Sequence, residues 1–160
     1  MMKKVEQGLP SFPDRHDLES LRHHLHGLLF GAMQAMAGAG RMVCDFTDKV
    51  LWECTMDMAR QVWDASRHVE IFFKLLEHIE GYIGESPETT ILWRCACAGT
   101  PEERAAGVNR GLEGLDCDIL VQLIALAKKI GDPVIERALD FVLADEIAQV
   151  RIRDEPYAIV

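Results

Sequence analysis

Two stretches of the chain, WDASRHVE (63–70) and ADEIAQVR (144–151), lie 81 residues apart in one frame. Laid over each other, Asp64 meets Asp145, Ala65 meets Glu146, His68 meets Gln149 and Val69 meets Val150. Each is half of a Glu-x-x-His pattern. The first keeps the His and lacks the Glu; the second keeps the Glu and lacks the His. On a helix, positions i and i+3 share a face about one turn apart. A carboxylate and an imidazole held that way are the parts of a transition-metal site or of an acid–base pair.

The same offset places Ala32 on Glu113, and 33 residues separate Ala32 from Ala65 as they separate Glu113 from Glu146. Helical bundles that hold two metal ions take one carboxylate from each of two helices and Glu-x-x-His from each of the other two. The six positions 32, 65, 68, 113, 146 and 149 fit that plan as positions. They carry Ala32, Ala65, His68, Glu113, Glu146 and Gln149.

The runs WDASRHVEIF, LEHIEGYIGE, AGVNRGLEGLDCDI and GDPVIERALDFVLADEIAQVRI resemble the ferritin-like superfamily. Within it they resemble bacterial di-iron oxidases and oxygenases whose helices carry DEARHVE and DE-x-x-H-V-R. The likeness covers about residues 20–152 and implies a four-helix bundle and an ancestry in di-iron chemistry with O₂ or in iron storage. The full pattern calls for Glu at 32, 65, 113 and 146 and His at 68 and 149, so three of six ligands remain here. Asp64 and Asp145 match residues that orient a ligating His on a neighbouring helix.

This depletion excludes an intact di-iron centre, since its first metal would keep only His68 and a share of Glu146. One reading is a small-molecule enzyme with an altered centre. It would use His68, Glu113 and Glu146 around a single Fe, Mn or Zn ion, or as metal-free acid–base groups. The other reading is a non-catalytic bundle that binds a small molecule or partners an intact homologue. Without metal, buried carboxylates must be paired or protonated. His68 with Glu146 or Asp145, and Gln149 with Glu113, are the candidate pairs. Ala32 and Ala65 empty the centre, and the space is either filled by Met33, Met36 or Met58 or left open for a ligand.

Other chemistry-bearing residues read more simply. His23 and His26 share a face and could take up a metal, but suit a polar helix start better. His78 suits a helix C-terminus. Glu70 and Glu77 suit a solvated face or an interface between subunits, and Trp52, Trp63 and Trp93 suit packing or an interface.

These residues must be positioned by helices, because strand patterns are nearly absent and helical periodicity is everywhere. The first helix is expected from Asp14 or Asp17 to about Val43, with Leu21, Leu25, Leu28, Leu29 and Ala32 on its buried stripe. The second is expected from Thr47 to Gly81 or Gly84, with Met58, Val62, Ala65, Val69, Phe72 and Leu76 buried. The third opens at TPEE (100–103), a capping box, and closes at KKIG before Gly131. The fourth is capped by Asp132 and runs to about Arg153. Between the second and third, residues 82–99 form a long crossover in which ILWRCACA makes a helical turn or two. The expected fold is all-α: two antiparallel helical hairpins joined by that crossover, in one domain (14–153) between an extension (1–13) and a tail (154–160).

Composition sets the outer limits. A 160-residue chain that is 49% apolar and 27% charged suits one soluble domain. The net charge of −9, from 17 basic against 26 acidic residues, argues against nucleic acid and anionic membranes as partners. No apolar run reaches the roughly 18–20 residues that span a bilayer. The five cysteines lack a CxxC pair and no secretory signal precedes them, so free thiols in the cytoplasm are expected. A homodimer is the expected assembly.

Overall fold

The computed structural model describes residues 18–46, 48–97, 99–100, 103–104 and 113–152. The expected extension and tail, and the caps Asp14, Asp17 and Thr47, lie outside the described residues. Among the described residues there are four long helices and one short one. They are α1 (Leu18–Phe46), α2 (Trp52–His78), α3 (Ile91–Cys97), α4 (Glu113–Ile130) and α5 (Pro133–Ile152).

The helix ends follow from local chemistry. At 100–103 the capping box forms in both directions. Glu103 N–H donates to Thr100 Oγ1 at 3.3 Å, and Thr100 N–H to Glu103 Oε2 at 2.9 Å. Residues 105–112, within the expected third helix, lie outside the described residues. That helix stops at Gly131, whose φ of +76° only glycine adopts without penalty. There Asp132 N–H reaches back to the Ala127 carbonyl at 3.0 Å. Asp132 then caps α5, its Oδ1 accepting from Val134 N–H and Ile135 N–H at 3.0 and 3.1 Å.

Two boundaries differ from expectation. α1 runs on to Phe46, and α2 begins at Trp52 rather than near Thr47. The Phe46 carbonyl holds the N–H groups of Lys49 and Val50, so the turn spends those residues before α2 can start. α2 also ends early, at His78. Glu80, with φ of +61°, takes the left-handed position expected of Gly81, and Gly81 N–H closes the motif on the Leu76 carbonyl at 2.8 Å.

α2 returns antiparallel along α1, and α5 along α4. The crossover follows α1 over most of its length. Arg22 holds the Glu80 carbonyl, buried His26 accepts from Gly84 N–H at 3.0 Å, and Gln34 donates to the Thr89 carbonyl at 2.7 Å. At its far end α3 lies so close that a Cβ on Gly38 would come within 2.7 Å of Ala96 Cβ. Arg104 then meets Asp45 at the end of α1, at 2.9 Å, and His78 at the end of α2 meets Asp132 at 2.9 Å. These anchors make α4 run parallel to α2, and α5 parallel to α1.

Two apolar clusters hold the helices together. The larger takes Leu21, Leu25 and Leu29 from α1, Phe72, Leu75 and Leu76 from α2, Leu120, Leu123 and Ala127 from α4, and Ile135, Leu139 and Val142 from α5. Each fully buried side chain of this size contributes about 1.5–3 kcal/mol. The smaller gathers Ala39, Met42, Phe46, Met58 and Ala96 at the opposite end. Between them the buried face of α2 departs from expectation. Gln61, Asp64 and His68 are buried, while Val62, Ala65 and Val69 are only half-buried. The helix has turned its polar residues inward because they find partners there, as the site shows.

Candidate functional site

The layer between the two apolar clusters holds a partly open cavity of about 330 Å³. Ala32, Ala65, His68, Glu146 and Gln149 all border it, so five of the six positions picked out by the internal repeat converge. The side chain of the sixth, Glu113, lies outside the described residues; Asp116, one turn further along α4, borders the cavity. The two alanines leave their space open. Met58 goes to the smaller apolar cluster and Met33 is exposed. Leu28, Phe72, Leu120 and Val142 supply apolar walls, and Pro87, Glu88, Thr89, Ile91 and Leu92 of the crossover supply another side.

One flank of the cavity is a closed set of charges. His68, 2% exposed, sits between two carboxylates: Nδ1 is 3.0 Å from Glu146 Oε1 and Nε2 is 3.3 Å from Asp145 Oδ2. Asp145 also accepts from Arg67 at 2.9 Å. Arg67 donates in turn to Asp64, which is 2% exposed and receives Gln149 Nε2 at 3.2 Å and Arg60 at 3.6 Å. Three acids therefore face three cations if His68 is protonated. The guanidinium of Arg67 also stacks 4.1 Å over the Trp63 ring. Trp63 and Trp52 are themselves exposed rather than packed inside.

His68 has every reason to carry its proton. Burial alone would pull its pKa down, but the hydrogen bond and charge of Glu146, then those of Asp145, outweigh it and the net shift is upward. Carboxylates only accept, so a ring flanked by two of them satisfies both nitrogens only as the imidazolium.

That geometry bears on the metal expected on His68, Glu113 and Glu146. A metal needs a ring nitrogen with its lone pair free, and both nitrogens of His68 are turned onto carboxylates. Among the described residues no group of three or more His, Cys, Asp or Glu side chains is placed to hold a metal ion. The described donors thus do not fit a metal. They fit an ion-paired network in which Arg67 and His68 supply the positive charge.

Several pairings were legible and others were not. Asp145 holds His68 across the helices as its position suggests. Gln149 donates to Asp64, while its expected partner Glu113 has a side chain outside the described residues. Arg67 went unnoticed in sequence. The signal was available: two buried acids, a half-buried third and one His leave negative charge uncovered, and Arg67 stands one turn from Asp64. His26, expected to suit a polar helix start, is buried and clasps the crossover. His23 contacts Ser86 of the same segment at 3.0 Å. Glu70 lies on the solvated face, paired with Lys74, and the five cysteines are free thiols.

Comparison with known proteins adds the fold alone. No family model matches the chain, and no curated protein matches it. Among solved structures the chain is similar to YcfI from Rhodopseudomonas palustris, which is described, provisionally, as a structural protein. The TM-score is 0.67 at 15% identity, over 88% of this chain and 96% of that one. Among the described residues no helix is long and apolar enough to cross a membrane.

Proposed function

We propose that the chain is a ferritin-like four-helix bundle whose di-iron position has become a metal-free cavity for a small molecule. The observation that carries this is the convergence of Ala32, Ala65, His68, Glu146 and Gln149 on one cavity of about 330 Å³. Residues 81 apart in sequence do not meet around one void by accident of composition. The helix directions, with two hairpins joined by a crossover along α1, support the same ancestry.

The His68 ion cluster is the fixed polar end of the cavity, and Ala32 and Ala65 are the room made for the guest. A void of this size takes on the order of ten non-hydrogen atoms. Where a di-iron relative places two cations between carboxylates, this chain places Arg67 and protonated His68. A second reading keeps chemistry at the site. Glu146 and His68 border the cavity 3.0 Å apart, which suits proton transfer to or from a bound molecule. Pairing of two copies, through the exposed Trp63 and Phe141 surface, belongs to the same proposal.

The test combines metal analysis with a neutral probe. Protein purified without a histidine tag is expected to hold well under one Fe, Mn or Zn per chain and to bind cyclohexylmethanol. Ala65→Leu is expected to weaken that binding more than tenfold. A near-stoichiometric metal, or no difference between Ala65→Leu and the parent chain, would overturn the proposal.

A further inference from the structure

The cavity wall is apolar over most of its extent, through Leu28, Ala35, Phe72, Ile119, Leu120 and Val142. Its polar groups are largely taken up by the protein itself. Gln34 donates to the carbonyls of Phe30 and Thr89 and accepts from Trp93 N–H. His24 Nδ1 donates to the Ser20 carbonyl, His23 meets Ser86, and the Thr89 hydroxyl accepts from Ile91 N–H. The Gln149 amide donates to Asp64, and both Gln61 and Asp116 are engaged elsewhere in the protein.

The charges are closed in the same way. Glu146 is matched by His68, whose two ring nitrogens both face carboxylates. Arg67 is held between Asp64 and Asp145, and Arg60 lies 3.6 Å from Asp64. With His68 protonated, three acids meet three cations. Glu88 is exposed to solvent, and no Lys or Arg borders the cavity among the described residues. What remains is of both kinds. His26 accepts from Gly84 N–H at Nε2, so its ring proton sits on Nδ1. The second Glu146 oxygen and the Gln149 carboxamide oxygen remain as acceptors. These groups can receive a hydroxyl, but they supply no uncovered charge.

Resting on the reading of the cavity as a binding site, we infer that its ligand is an uncharged, mainly hydrocarbon molecule, at its most polar an alcohol. The hydrocarbon body gains from leaving water for the apolar wall. An ammonium reaches Glu146 only in competition with His68. A carboxylate finds Arg60 and Arg67 already held by Asp64 and Asp145. Either ion gives up its hydration for a wall that has no counter-charge to return.

Three probes of one shape separate these cases: cyclohexylmethanol, cyclohexylmethylamine and cyclohexanecarboxylate, titrated into the full chain by calorimetry at neutral pH. The alcohol is expected to bind at least about tenfold tighter than either ion. His68→Gln removes the cation that covers Glu146, and is expected to narrow the gap between alcohol and amine at least about threefold. The probe series on the parent chain decides the matter even where that variant does not fold. Amine or carboxylate binding as tight as that of the alcohol overturns the assignment and leaves the cavity reading standing. So does a gap between alcohol and amine that a folded His68→Gln chain leaves unchanged. Failure of all three probes to bind overturns both.

Discussion

Replacing His68 by Gln is the sharpest perturbation of the central ion cluster. In the parent chain each ring N–H meets a carboxylate, at 3.0 Å for Glu146 and 3.3 Å for Asp145. A hydrogen bond to a charged group contributes about 1.5–3 kcal/mol, so the pair is worth about 3–6 kcal/mol gross. Taking a charged ring out of water costs several kcal/mol and offsets part of this. The longer Asp145 contact, shared with Arg67, sits at the weaker end. A net loss of about 1–3 kcal/mol is expected for His68→Gln at pH 6. The sign of its pH dependence follows from the upward shift of the His68 pKa. A folded-state pKa above the unfolded value of about 6.5 gives stability that is fully present below that value. It is lost as pH rises through the folded pKa. Urea denaturation of both chains from pH 5.5 to 9.5 should therefore show a gap that narrows with rising pH. NMR titration of the ring should give a midpoint above the ordinary histidine range. A gap independent of pH, or a midpoint at or below about 6.5, would refute the reasoning.

Further outcomes follow from the same coordinates. Gly38→Val puts a branched side chain where even a Cβ would come within 2.7 Å of Ala96 Cβ, and should cost about 1–3 kcal/mol by urea denaturation, through loss of the α1–α3 contact. Asp132→Ala removes the cap of α5 and should cost about 1 kcal/mol at pH 7. Burial acts to raise the Asp132 pKa, but the N–H groups of Ile135 and Val134 and the contact with His78 outweigh it and lower it. The stability from this carboxylate is present above an unfolded value of about 3.9 and lost as pH falls through the folded one, so the gap should close in acid. His26→Phe removes the acceptor for Gly84 N–H, a bond worth about 1 kcal/mol, and should speed amide exchange at Gly84 about fivefold.

Much of the fold could be read before any coordinates, for reasons visible in single residues. Thr100, Glu103, Gly131 and Asp132 each do at a helix end what their chemistry predicts, because capping is decided within four or five residues. The Phe46 turn was harder. Thr47 is a good cap by type, yet the carbonyl of Phe46 claims the next residues first. The buried face of α2 is not legible locally, because apolar periodicity favours Val62 and Val69, whereas a matched set of charges draws Asp64 and His68 inward. That set joins residues 77 to 85 apart, so no local window contains it. The site positions were legible through the internal repeat, which marks equivalent places without showing who pairs with whom. The partnership of Gln149 with Asp64, and the part played by Arg67, depend on which side chains face each other across α2 and α5.

The central claim is that Ala32 and Ala65 border one binding cavity beside the His68 ion cluster. The most direct test is intermolecular NMR on the parent chain saturated with cyclohexylmethanol. Cross-relaxation from the probe to the methyl groups of both Ala32 and Ala65 is the result this account predicts. Probe signals confined to exposed residues such as Trp52 or Tyr82, with none at either alanine, would contradict it.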